Sequence, residues 1–413
     1  MYAYAFLEDF VVLYPVYALL FAENGLSPAQ ISSLFVIWSV TGFVLEIPSG
    51  VWADLVSRRA LLTAAPLLTG AGYALWTFVP SYWSFALGFV LWGAGGSLRS
   101  GTVQALVYEE LGRCGRPDRY PVLVGRSAAV GATAIAAAGA LAAPVLAAGG
   151  LRAAGLASVL VTPLCAAVAL TFPESRRHRE IPDITNPLGV LREGLAQVRE
   201  GPAIRRAITV LSVMSVIGAM EEYVPLLAQA TGVSAGTVPL LVLLVSVGGM
   251  AGGWFAGRGQ GALAPALVLA AVCLSAGAAG AAARHPAAVT LVAVSFGLVQ
   301  WASATLDARL QEEISDGARA TVTSMAGVGV EIVCLAVYGG YAAGSVWAGP
   351  GPLFAVAAVP YLGSPSPYAV PSAGETRRAL SRTAGRRSGR DRSPGGAGAG
   401  RPAVRADGRS RRA

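Results

Sequence analysis

Gly50-Val-Trp-Ala-Asp54-Leu-Val-Ser-Arg58-Arg59 lies between two long apolar stretches. A Gly, an Asp four residues later and an Arg pair four further on are compressed into a turn between two membrane helices. A simple membrane anchor needs none of these. The surrounding chain has 413 residues, 54% hydrophobic and only 13% charged. A soluble protein of this size carries about 25% charged residues. Apolar stretches near the length of a bilayer crossing recur from Met1 onward, which predicts a polytopic, all-α membrane protein. About six crossings fall in each half, about twelve in all. The stretch 1–22 has no basic start and no small-residue cleavage site, so it reads as helix 1 and not as a cleavable leader.

The turn also orients the chain. Arg58 and Arg59 share one side with Arg113, Arg116, Arg119, Arg176, Arg177, Arg179, Arg205, Arg206, Arg258 and Arg319, whereas Arg152 and Arg284 fall on the other. The positive-inside rule makes the rich side cytoplasmic and puts both termini there, in a multi-pass protein of the cell membrane. The net charge of +8 is a separate matter. Twelve of the 31 basic residues lie between Arg377 and Arg412, which leaves 19 against 20 acids in the body. There is no Lys, and Cys114, Cys165, Cys273 and Cys334 fit no metal or disulfide spacing.

Four regions follow. Residues 1–172 hold the first six helices and 206–362 the second set. Between them, 173–205 is a polar linker. Within it Val190, Leu191, Leu195 and Val198 share one face of a helix at the cytoplasmic surface. Residues 363–413 are rich in Ser, Gly, Pro and Arg and read as disordered. Helix 12, at 346–362, contains Pro350, Pro352 and Pro360 and is short for a crossing. Two readings stand for the tail: a native basic segment near anionic headgroups, or a change of reading frame near Tyr361 that replaces the end of helix 12.

The halves repeat one another. Thr102-Val-Gln-Ala-Leu-Val-Tyr-Glu-Glu-Leu111 aligns with Thr305-Leu-Asp-Ala-Arg-Leu-Gln-Glu-Glu-Ile314 at an offset of 203. The same offset sets Gly50-Val-Trp-Ala53 on Gly253-Trp-Phe-Ala256. Two matches at one offset predict two six-helix bundles related by a parallel pseudo-twofold axis. Asp54 falls on Gly257, so the complete turn exists once.

With Gly50, Asp54, Arg58 and Arg59 in place, the turn resembles the loop between helices 2 and 3 of major facilitator superfamily transporters. Leu55 stands where the family usually has a basic residue, and Ser57 where it has a second Gly. The resemblance implies a gate in which Asp54 caps the N-terminus of helix 11 and the Arg pair completes a charge network. Arg99-Ser-Gly in helix 4 loosely resembles the Arg of the family's helix 4 motif. Pairing with an acid of helix 1 or 2 such as Glu46, or binding of an anionic substrate, are its two readings. Helix 5 has Gly131, Gly139 and Pro144 but not the adjacent Gly-Pro signature of the family's antiporters.

Charges inside spans mark the remaining candidates. Glu8 and Asp9 sit about 12 Å into helix 1. An unpaired charge at a helix centre costs about 3 kcal/mol. A wet cavity or a bound proton removes most of that cost, and proton coupling requires such a group. The competing reading puts both at the headgroups. Glu221 and Glu222 near the end of helix 7 are equally consistent with a cavity or with plain exposure. Glu331 in helix 11 is a central acid, with structural pairing as its competitor. Trp38 in helix 2 suits stacking on an aromatic substrate or simple packing.

No nucleotide-binding loop, metal cluster or Ser-His-Asp arrangement is present, and no cofactor or nucleic acid is expected. The expected function is secondary active transport, proton-coupled efflux of a small, partly apolar compound by a monomer in the bilayer. The alternatives are a proton symporter or uniporter of a small metabolite, or a non-transporting sensor on the same scaffold. A lipid enzyme is disfavoured because the acids are spread over three helices.

Overall fold

The computed structural model describes residues 1–173, 202–256, 258, 262–313 and 319–362. The predicted surface helix at 188–199 and the tail lie outside these residues. So do the surroundings of Gly50 and the side chain of Asp54. All of the described residues belong to one compact unit, and every described element in it is helical.

The described helices are numbered α1 to α12 in chain order, with the two pieces of a broken helix sharing one number. α1 comprises Tyr2–Asp9 and Tyr17–Glu23, α2 is Pro28–Leu55, α3 is Arg58–Phe78 and α4 is Tyr82–Arg99. Tyr120–Leu170 contains α5 and α6, joined by a kink at Gly149 and Gly150. α7 comprises Pro202–Glu221 and Val224–Ala230, followed by α8 (Val238–Trp254), α9 (Leu263–Ala282), α10 (Val289–Glu313), α11 (Arg319–Gly344) and α12 (Pro350–Ala357). Local chemistry sets the starts. Ser27 and Gln30 form a capping box at α2, with Pro28 at the first helical position. Ser57 caps α3 by accepting the Ala60 N–H at 3.1 Å, so the residue that replaces the family's Gly works as a helix start.

Three helices differ from the expected continuous spans. The span expected at 1–22 breaks between Phe10 and Leu13, where Pro15 cannot extend an α-helical ladder. The freed Leu13 N–H donates to Ser158 Oγ on α6 at 2.9 Å. Helix 4, expected to run on through Ser100 and Gly101, ends at Arg99, because Gly101 takes φ +68° and starts a new helix, Thr102–Arg113. The seventh helix bends by 53° at Glu222 and Tyr223, just before Pro225. α12 is short, as its prolines foretold, and a 3-10 turn at Val359–Leu362 extends it. Tyr361 is fully buried there, and its phenolic oxygen accepts the Ile217 N–H at 2.9 Å. The packed fold therefore includes Tyr361.

Helix neighbours repeat between the bundles. α2 packs on α4 as α8 packs on α10, and α3 on α4 as α9 on α10. Shifted by 203, α3 falls on 261–281, and α9 occupies Leu263–Ala282. Lipid offers no hydrophobic force between helices, so close backbone approach has to hold them. A Cβ on Gly72 would stand 2.7 Å from the Gly88 carbonyl oxygen, and Gly248 and Gly252 lie directly against Ala293 and Gly297. The bundles meet along α2 with α11 and α5 with α8. Trp83 and Trp347 at one end and Trp254 at the other are about 80% exposed, as side chains of the two interfacial belts are. The end bearing Arg58, Arg59 and Arg258 is called the arginine-rich end below.

Candidate functional site

The helix breaks shape a central space. A cavity of about 270 Å³ lies against the first bundle, walled by Tyr14, Trp38, Tyr73 and Trp92, with Glu8, Asp9 and Arg99 on its lining. A second, of about 860 Å³, lies mainly against α7, α8, α10 and α11, with Glu221, Gln300 and Asp307 on its lining. Tyr14, Ile135 and Ser246 line both, so the two spaces adjoin across the bundle interface. Tyr14 begins the 3-10 turn at the break of α1 and lines both spaces.

The aromatic wall is layered. Trp38 stacks on Trp92 at 5.4 Å between ring centroids, Trp92 stacks on Phe89 at 5.8 Å, and Tyr14 and Tyr73 meet Trp92 edge-on. Edge and offset contacts of this kind favour the ring quadrupoles and fix the wall's shape.

Arg99 is ion-paired with Glu8 of α1. Glu46, the other partner considered from the sequence, instead accepts a hydrogen bond from Ser100 Oγ at 2.9 Å. Asp9 lies against α5, where a Cβ on Gly131 would run into its carboxylate. Glu221 lines the second cavity. Glu222, 9% exposed, sits in the α7 bend within electrostatic range of Tyr14. Neither acid is at an open surface. Glu331 lines neither cavity and accepts a hydrogen bond from Ser39 of α2, which bridges the two bundles. Arg58 pairs with Glu109 of Thr102–Arg113 at 2.6 Å and so ties the turn to α4's extension. Gly50 and Asp54 are helical at the end of α2.

At the end opposite the arginines the space is closed. Tyr223 donates to Ser32 Oγ at 2.7 Å, stacks on Tyr341 at 3.6 Å and meets Phe35 edge-on. Tyr338 completes this layer against Phe35. From there the second cavity runs to Gly253 and Asp307, near the arginine-rich end.

Two bundles around a shared space with one closed end is the arrangement of a carrier. The sequence model of the Major Facilitator Superfamily matches residues 2–338. The chain belongs to that superfamily. Three solved structures share the fold of this major facilitator at low identity. The nucleoside transporter NupG, solved as a point mutant, gives a TM-score of 0.71 at 11% identity, covering 87% of this chain and 96% of that one. A bacterial homolog of the human lysosomal transporter Spinster, inward-facing and occupied, gives 0.61 at 15%, covering 89% and 91%. Its unoccupied form gives 0.58 at 16%, with the same coverage. No curated protein sequence matches it. As a major facilitator, this multi-pass membrane protein is a transporter, and its small-molecule substrates bind within the membrane.

Four wall residues escaped the sequence reading. Tyr14, Tyr73 and Trp92 look like ordinary apolar positions, and only the break of α1 makes Tyr14 a lining residue. Asp307 was visible inside the repeat, as an acid in a span where the first copy has Gln104.

Proposed function

We propose that this facilitator exports a small, partly apolar compound in exchange for protons. The observation that carries the reading is the placement of Glu8 and Asp9 on a cavity that adjoins the opposite bundle at Tyr14. Carboxylates in such a place can bind and release a proton as access alternates. The arginine-rich end is cytoplasmic by the positive-inside rule, so the Tyr223 layer closes the outer side and the cavity faces inward. Glu8, Asp9, Glu221 and Glu222 are the coupling and substrate candidates, with Arg99 holding Glu8. Glu331 acts as an interbundle tie through Ser39. Gly50, Asp54, Arg58 and Arg59 form the cytoplasmic gate. The chain works as a monomer in the plasma membrane.

Inside-out vesicles carrying the protein, screened with labelled compounds, test this. Accumulation should collapse on adding a protonophore, and Asp9→Asn should lower it at least about tenfold, since each 1.4 kcal/mol of lost coupling is a factor of ten. Uptake that only equilibrates across the membrane and is indifferent to both changes would replace export by uniport. Nucleoside uptake, suggested by one structural neighbour, belongs in the same screen because a base would stack on Trp38 and Trp92.

A further inference from the structure

Gly139 of α5 faces Leu243 of α8 where the two bundles touch. From that contact towards the arginine-rich end, Arg126 lies about 20 Å along α5 and Trp254 about 17 Å along α8. Trp254 belongs to the interfacial belt, so Arg126 reaches the same headgroup level. Arg126 shares an exposed helical face with Val122, Ala129, Thr133 and Ala140. The cavities are lined from a different face of α5, by Ala132, Ile135 and Gly139. The face of Arg126 is therefore the one that lipid meets. Its guanidinium stays charged at any physiological pH, yet it makes no hydrogen bond or ion pair among the described residues. The segment leading into α5 adds Arg116, which also makes no ion pair among them, and Arg119, which has only Asp118 at 3.8 Å. The nearby acids Glu109 and Glu110 are taken by Arg58 and Arg113. Three guanidiniums thus share one carboxylate at the edge of the hydrocarbon, where an uncompensated charge is costly. A phosphate fits the planar fork of an arginine bidentately. The positive excess favours a headgroup of net negative charge over a zwitterionic one, whose own ammonium is repelled. From this unpaired guanidinium at headgroup depth, we infer that α5 binds an anionic phospholipid at the arginine-rich end. Its phosphate lies on Arg126, and its acyl chains run along Ala129, Thr133 and Ala140. The site is separate from the transport cavity and does not rest on the export reading.

Native mass spectrometry of the full chain, released from detergent micelles, tests it with palmitoyl-oleoyl phosphatidylglycerol and the phosphatidylcholine of the same chains. The first phosphatidylglycerol should bind at least about fivefold more tightly than phosphatidylcholine. Arg126→Gln should lower that preference about fivefold, and Arg126→Lys should keep most of it. Arg152→Gln, at the opposite end, should leave it unchanged. Glycerophosphoglycerol, the same headgroup without acyl chains, should not displace the lipid at equal concentration. Equal binding of the two lipids overturns the inference, as does an undiminished preference in Arg126→Gln or an equal loss in Arg152→Gln. Displacement by glycerophosphoglycerol would overturn it in favour of a soluble phosphate ligand. If Arg126→Gln fails to fold, the two lipids on the unaltered chain and the weaker preference expected of Arg116→Gln decide.

Discussion

Arg99 shows how one side chain can be read in two ways until its neighbours are known. In sequence it was a cation in a span with several acids in reach. In the fold it is ion-paired with Glu8, while Asp9 makes no ion pair of its own among the described residues. Removing one member of a pair strands the other in a poorly solvated place, which costs about 3–5 kcal/mol when fully buried and less here, since the Arg99 side chain is 45% exposed. Arg99→Gln should therefore lower the unfolding midpoint of the purified protein in detergent. Arg99→Gln combined with Glu8→Gln should recover much of that loss. Thermal unfolding of the two singles and the double measures it, and additive losses would show that the pair contributes no coupling. Glu331 teaches the complementary lesson: a central acid in a span was a site candidate by default, yet its partner is Ser39 across the bundle interface. Its bond joins residues 292 positions apart, which no local pattern reveals.

At the scale of elements, most of the fold was legible because bilayer thickness fixes helix length and the 203-residue offset fixes the pairing of elements. The breaks were not legible. Pro15 and Pro225 mark where a helix can fail, but whether it breaks depends on partners such as Ser158, which satisfies the Leu13 N–H from another helix. Gly101 was read as part of a continuing helix because a positive φ leaves no trace in hydropathy. Small residues at helix contacts can be tested directly. Gly252 has no room for a Cβ against the Gly297 carbonyl, so Gly252→Val should destabilise the α8–α10 contact by about 1–3 kcal/mol. Gly42→Ala, at a position with nothing within 4 Å of the added carbon, should be neutral or slightly stabilising. Equal effects of the two on thermal unfolding would remove close backbone approach as the basis of bundle packing.

For the whole molecule, the turn at Gly50 to Arg59 named the architecture, but the working space came from residues far from it. What remains is the cycle. Its closure at the end opposite the arginines rests on Tyr223, held by Ser32 and stacked on Tyr341. Tyr223→Phe keeps the stack and removes one hydrogen bond, worth about two- to tenfold in an equilibrium. Spin labels at Asn24 and Val346, exposed on the two bundles at that end, should then show a larger share of long distances. An unchanged distribution would assign closure to the ring stack alone. The central claim is that substrate and protons move in exchange through the cavity lined by Asp9. Its most direct test is proton movement itself, recorded by a pH dye sealed in proteoliposomes when substrate is added on one side. The account predicts a substrate-triggered proton flux opposite in direction to the substrate, and none in Asp9→Asn. Substrate transport with no accompanying proton movement would contradict it.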